Sequence, residues 1–219
     1  MRTPASSSIP FRDRAAAGSE LAELVATHCA HGPVLVLALP RGGVPVAAPV
    51  ARRLAAPLDV LVVRKVGMPG QPELAIGAVA PGGVTVRNEL LPDGLVDEAT
   101  FAQLAAREIR ELQRRERTYR QGRLALQLRD RHVVLVDDGL ATGATMLAAI
   151  KAARLGGAAS ITVAVPVASI EATSLVRALA DATLVLVTPS HLGAVGEFYE
   201  RFGQVSDVEV VQLLQDAAQ

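Results

Sequence analysis

Apolar residues fall along this chain in two alternating patterns. Short, nearly continuous aliphatic runs occur at Val34–Leu39, Leu58–Val63, Val133–Val136, Ile161–Val165 and Thr183–Val187. Such runs lack the in–out alternation of a half-wetted strand and predict strands buried on both faces. Between them lie stretches with helical spacing. These predict helices over Arg14–His28, from the glycines at Gly42-Gly43 to Leu54, over Asp97–Tyr119, over Ala144–Leu155 and over Ile170–Ala180. Gly156-Gly157 supplies a stop for the fourth of these. Strands that alternate with helices predict a mainly parallel sheet with helices packed over it.

Three segments depart from the alternation. Leu74–Ala80 and Val84–Arg87 read as a hairpin around Pro81-Gly82-Gly83. Val66–Pro72, with two glycines and two prolines, reads as a loop. The stretch from His191 onward is irregular, with a short helix near Val208–Leu214. Pro49 lies four residues after Pro45, so the second helix is expected either to start late or to kink, because an interior proline costs roughly 3 kcal/mol.

With 219 residues, half of them apolar, the chain suits one α/β domain over 11–219 with a small hood or insert. Residues 1–10 are rich in Ser and Pro and read as a flexible tail without the apolar core of a signal peptide. Twenty-two basic residues balance twenty-two acidic ones, so no general attraction to nucleic acid or anionic membrane is expected. The single cysteine, Cys29, excludes an internal disulfide and fits a reducing cytoplasm. No apolar run approaches the roughly 20 residues of a membrane span. A cytoplasmic protein is the expectation.

The candidate chemistry concentrates in Val133-Val134-Leu135-Val136-Asp137-Asp138-Gly139-Leu140-Ala141-Thr142-Gly143-Ala144-Thr145. An apolar strand ends in two adjacent acids, then a loop of small residues enters a helix. Paired carboxylates accept hydrogen bonds from vicinal hydroxyls, and loop N–H groups at a helix N-terminus hold a phosphate. Neighbouring side chains on an extended strand point to opposite faces, so the chain must already turn at Asp137-Asp138 for both acids to meet one sugar; Gly139 permits this. Acids before a helix also serve simply as caps. The loop lacks the Gly-Lys-Ser/Thr of a triphosphate-binding loop and the glycine fingerprint of a dinucleotide fold.

About 95 residues earlier, Leu39-Pro40-Arg41-Gly42-Gly43-Val44 repeats the strand–loop–helix arrangement. Arg41 brings charge, and Gly42 and Gly43 bring accessible N–H groups. Arg64-Lys65 ends the next strand run. Cations at that edge suit a leaving group whose negative charge grows as a bond breaks.

Taken together, these motifs resemble those of the type I phosphoribosyltransferases, and within that family the group of predicted phosphoribosyltransferases, from about Phe11 to the tail. The resemblance implies a mainly parallel twisted sheet flanked by helices. It implies 5-phosphoribosyl-1-pyrophosphate (PRPP) as donor and Mg²⁺ as cofactor, held mainly by PRPP's own oxygens with no direct protein ligand. Asp137 and Asp138 would bind the ribose hydroxyls beside Gly139, and Ala141, Thr142, Gly143, Ala144 and Thr145 the 5-phosphate. Arg41, Gly42, Gly43 and Lys65 would hold pyrophosphate, Arg64 and Lys65 would stabilise it as it leaves, and Val66–Pro72 would be the mobile loop that closes over the site. A homo-oligomer, a dimer, is implied as well.

The acceptor is less defined. Ala141 stands where hypoxanthine- and guanine-using members carry an acid, which points away from that class without naming another. No general base emerges. Phe198, Tyr199 and Phe202 cluster near the C-terminus, where a flat acceptor would stack on Tyr199 or Phe198; alternatively these rings anchor the tail. Glu197 is a lesser candidate for meeting an acceptor amine. The helix segment Arg107–Arg123 holds seven Arg and three Glu, which reads as a solvated face with internal ion pairs. His28, His31, His132 and His191 show no metal-ligand spacing. A non-catalytic PRPP or nucleotide sensor is the rival reading, since the same cradle binds without turnover.

Overall fold

The runs of Val, Leu and Ile assemble into a single parallel sheet in the computed structural model, which describes residues 11–28, 33–88, 91–92, 94–125 and 127–217. The elements in order are α1 (Arg14–His28), β1 (Val34–Ala38), α2 (Gly43–Leu54), β2 (Leu58–Val60), β3 (Arg64–Met68), β4 (Gln71–Ala80), β5 (Val84–Arg87), α3 (Glu98–Arg120), β6 (His132–Val136), α4 (Ala144–Leu155), β7 (Ser160–Val167), α5 (Ile170–Arg177), β8 (Ala182–Val187) and α6 (Asp207–Asp216). The tail expected over residues 1–10, together with Cys29 and His31, lies outside the described residues.

The sheet order is β2-β1-β6-β7-β8, every pair parallel. Because side chains alternate across a strand, successive apolar residues serve opposite faces. Leu35, Leu37, Val133, Leu135, Ile161 and Val163 pack with Met146, Ile150, Ala172 and Val176 of α4 and α5. Val36, Ala38, Val134 and Val136 pack with Leu21 and Val25 of α1 and with Val44, Val46 and Val50 of α2. The α1 and α2 backbones approach closely at Gly18, where a Cβ would fall 2.4 Å from the Val46 carbonyl oxygen. α2 runs from Gly43 through Pro49 to Leu54 without starting late.

A second, antiparallel sheet of order β3-β4-β5 forms the insert. Its β4–β5 hairpin is the one the sequence predicts. The expected loop over Val66–Pro72 is different: β3 occupies Arg64–Met68, and only Pro69-Gly70 turns the chain into β4. The reason is burial. Val66 is fully buried in the same core as Val79 and Phe101, and the strand tolerates Gly67 at a register shift against β4. β2 ends early, at Val60, so Arg64 and Lys65 belong to the small sheet and not to the parallel one.

α3 starts at Asp97, whose carboxylate accepts the Thr100 N–H at 2.8 Å. It buries Phe101, Ala105, Leu112 and Tyr119 beneath the insert. Its charged face carries the expected internal ion pairs of Glu111 with Arg114 and Arg115, whereas Arg120 is largely buried, paired with Glu116 and with Asp59 of β2.

Candidate functional site

Chain direction fixes where a ligand can sit. From β1 the chain passes to β2 on one side and later to β6 on the other, so the β1 and β6 carboxyl ends part at a switch point, the crevice where open α/β sheets bind ligands. The Leu39–Gly42 loop and the Asp137–Gly143 loop flank this crevice. The Leu39 N–H donates to the Val136 carbonyl at 2.8 Å, so the two loops separate one residue beyond the strands.

Gly42 and Gly43 touch the acid pair directly. A Cβ on Gly43 would fall 2.6 Å from the Val136 oxygen and 3.3 Å from Asp137 Oδ1. A Cβ on Gly42 would fall 2.0 Å from Asp138 Oδ2. Gly42 has φ −60° and ψ −33°, a backbone any residue adopts, so glycine is needed there for space. The Gly43 N–H, expected to be open to a ligand, is spent on the Leu39 carbonyl at 3.0 Å. The peptide bond between Pro40 and Arg41 is cis.

Asp137 and Asp138 lie half-buried just past β6. Asp137 Oδ1 accepts the Asp138 N–H at 2.9 Å. Burial, and then the neighbouring Asp138 charge, push the Asp137 carboxyl well above its ordinary range. Asp138 is compensated: Arg14 Nε donates to its Oδ2 at 2.8 Å, with both side chains largely buried. Gly139 has the small size its place demands, since a Cβ would meet Val195 at 2.6 Å; it turns the chain without a positive φ.

Arg14 escaped the sequence reading. It lies 124 positions from its partner, and no local pattern links the two. Its Nη1 also donates to the Gly203 carbonyl at 2.8 Å, and its guanidinium sits 3.7 Å from the Phe202 ring centroid. Asp13 caps α1 through the Ala16 N–H, which with Arg12 and Arg201 holds its carboxyl below the usual range.

The C-terminal aromatics make the contacts of a tail anchor, the alternative the sequence also offered. Tyr199 is buried, its hydroxyl donates to the Asp138 carbonyl at 2.6 Å, and burial raises its pKa. Phe202 stacks on its ring at 5.0 Å and Phe11 tilts against it at 5.6 Å. Phe198 is half-buried in the same cluster, and its carbonyl accepts the Phe11 N–H at 2.7 Å. With both neighbours in place, Tyr199 fastens the C-terminal segment beneath the acid pair. Glu197 is exposed in the short turn before it.

The Ala141–Thr145 loop leads into α4. Gly143 adopts φ +75° as the residue before the helix, a left-handed conformation that favours glycine. Ala141 and Thr142 are exposed, and Ala144 and Thr145 open the first turn of α4, whose N–H groups lack helical acceptors. Ser169 holds the loop from behind: its hydroxyl donates to the Ala141 carbonyl at 2.8 Å and accepts the Ala172 N–H at 3.0 Å as the cap of α5. Sequence reading missed this residue too, although a serine just before a helical pattern is a cap signal.

The cations divide. Lys65 is exposed and lines the same cavity as Thr142 and Ala144. Arg64, its neighbour on β3, points the other way and pairs with Glu108 of α3 at 2.6 Å. Both were expected at the leaving group; strand alternation sends their side chains to opposite faces of the small sheet. Arg41 stands 3.7 Å from Asp207 of α6 and is one-third exposed. Asp207 also accepts the Tyr119 hydroxyl at 3.0 Å, which, after burial, pushes the Tyr119 pKa up to about 12.

Among the described residues no group of three His, Cys, Asp or Glu could cage a metal. The donor set here is two adjacent carboxylates, one with an oxygen committed to Arg14. That set fits a divalent ion brought in on a substrate's oxygens and not one held by the chain alone. Among the same residues no helix is long and apolar enough to cross a membrane.

Comparison with known proteins gives the family of this chain. The family model of the phosphoribosyl transferase domain matches residues 13–197. Two proteins of Mycobacterium tuberculosis, from strains CDC 1551 / Oshkosh and ATCC 25618 / H37Rv, carry names that assign them provisionally to phosphoribosyl transfer. Each is 46% identical over 208 residues, covering 94% of this chain and 47% of the relative. The chain thus spans about half the length of the curated relatives it matches. The crystal structure of TT1426 from Thermus thermophilus is similar at a TM-score of 0.84 and 45% identity, covering 95% of this chain and 99% of that one. The chain belongs to the phosphoribosyl transferase domain family.

Proposed function

We propose that this chain binds PRPP and transfers its phosphoribosyl group to a nitrogenous acceptor. The observation that carries the reading is the acid pair at the end of β6, seated against Gly42 and Gly43 of the facing loop, with the first turn of α4 beside it. Asp137 and Asp138 accept hydrogen bonds from the ribose hydroxyls. The N–H groups of Gly143–Thr145 and the Thr142 and Thr145 hydroxyls hold the 5-phosphate. Arg41 and Lys65, on separate elements, reach the pyrophosphate. The acceptor nitrogen bonds to C1 while the C1–O bond breaks, and pyrophosphate leaves with both electrons of that bond. Positive charge builds on the sugar near Asp137 and Asp138, and negative charge on the leaving group near Arg41 and Lys65. Mg²⁺ bound to the substrate's oxygens would add charge neutralisation at the diphosphate.

The test is incubation of the purified protein with Mg²⁺, isotope-labelled PRPP and a small-molecule cell extract, read by mass spectrometry. A labelled product, absent with Asp137→Asn, is expected. PRPP binding with no acceptor-dependent pyrophosphate release would replace transfer with sensing; no PRPP binding would remove both.

A further inference from the structure

Beside the phosphate loop lies a second concave space of about 470 Å³, within the roughly 300–1,000 Å³ usual for small-molecule sites. One helix face and a helix end line it. Ala144, Leu147, Ala148 and Lys151 follow i, i+3, i+4, i+7 spacing on α4, and Leu175 of α5 joins Ala178 and Leu179 of the turn that follows that helix. Ala75, Ala78 and Val86 of the small sheet close the opposite side. The alanines leave the volume that larger side chains would fill. Leu175 and Leu179 stay 40% and 41% exposed at its mouth.

The charged side chains among the described residues lining this space are basic. Lys65 is exposed, Arg87 at the β5 edge shares its charge with Glu98 at 2.7 Å, and Lys151 of α4 has a partner of its own, so Lys65 is the cation the proposal uses. None of the described residues lining the space is Asp or Glu. PRPP, a hydrophilic polyanion, has no use for the leucine and alanine walls. We propose that this cavity binds a small amphipathic anion: an aliphatic or aromatic body between α4, α5 and the small sheet, with one acidic group beside Lys65. It is a site separate from the acid pair, and it shares Thr142 and Ala144 with the phosphate loop. The inference goes beyond the proposed transfer and stands or falls without it.

The test uses 8-anilinonaphthalene-1-sulfonate as fluorescent probe on the full chain. Saturable one-to-one binding is expected. Octanoate displaces the probe, and 1-octanol does so only at tenfold or higher concentration. Ala178→Trp, at an exposed wall position, fills the space and weakens probe binding at least tenfold. Leu179→Glu places an acid in the wall and weakens octanoate at least tenfold while changing octanol less than threefold. Non-saturable probe binding, equal displacement by octanol and octanoate, or wild-type binding by a folded Ala178→Trp protein would each overturn the proposal.

Discussion

Gly42→Ala isolates the contact that brings the two loops of the site together. The new Cβ would stand 2.0 Å from Asp138 Oδ2 and 2.6 Å from its Cγ. Ordinary contact begins near 3.4 Å, so the carboxylate must move by about 1.4 Å. It is not free to do so, because Arg14 holds the same oxygen at 2.8 Å. Overpacking of this kind costs about 1–3 kcal/mol, or roughly 2–12 °C in melting temperature for a chain of this size. The decisive assay repeats the substitution in an Asp138→Ala background. All three nearest atoms to the added Cβ belong to the carboxylate, so removing it removes the clash. The backbone at Gly42 is already helical, and alanine there then stabilises by about 0.4–1 kcal/mol through the unfolded chain. The effect of Gly42→Ala thus changes sign between the two backgrounds, read by denaturant unfolding of all four proteins. An equal loss in both would refute the reasoning.

Further outcomes follow from the same contacts. Asp137 holds its proton to higher pH folded than unfolded, so the stability that protonation confers is complete below the unfolded value of 3.8 and is lost as pH rises through the raised folded value. Asp137→Asn carries no such loss, so its melting temperature should pull ahead of wild type as pH rises from 4 to 8; parallel curves would contradict this. Arg14→Gln leaves Asp138 without its cation and should cost roughly 3 kcal/mol, measured by urea unfolding. Ser169→Ala removes the α5 cap and the tether on Ala141, and should cost about 1–2 kcal/mol in the same assay. Lys65→Met, at an exposed position, should shift stability by less than about 0.5 kcal/mol and weaken pyrophosphate binding in a calorimetric titration.

Much of the fold is legible in the chain because the parallel sheet is buried on both faces. Val34–Leu39 or Val133–Val136 has no other reading once helical stretches separate the runs. The acid pair is legible for a related reason: two adjacent carboxylates at the end of an apolar strand need a job. The insert was misread where burial overrode turn chemistry. Gly67, Pro69 and Gly70 suggest a loop, yet Val66 is drawn into the core beneath α3 and pulls its neighbours into a strand. Strand alternation then separates Arg64 from Lys65, a consequence visible only once that strand is known. Arg14 was hidden by distance, since its partner Asp138 lies 124 positions away; the clustered rings suggested a tail anchor, but the Tyr199 hydroxyl bond to the Asp138 carbonyl, 61 positions away, was hidden in the same way. The glycines were recognised, but at Gly42 and Gly139 there is also a demand for space beside a carboxylate or a valine, which no local pattern encodes.

The Arg14 pairing also decides which acid gives the cleanest test of the account. Asp138→Asn would disturb the fold through Arg14, whereas Asn at 137 keeps an oxygen for the Asp138 N–H and exchanges its other acceptor oxygen for an NH2 donor. Calorimetric titration of PRPP with Mg²⁺ into wild type and Asp137→Asn is therefore the central measurement. Loss of a hydrogen bond to a charged group, about 1.5–3 kcal/mol, predicts affinity weakened roughly 10- to 150-fold with a neutral-pH melting temperature equal to or above wild type. Unchanged PRPP affinity in a folded Asp137→Asn protein would contradict the assignment of this acid pair to the ribose.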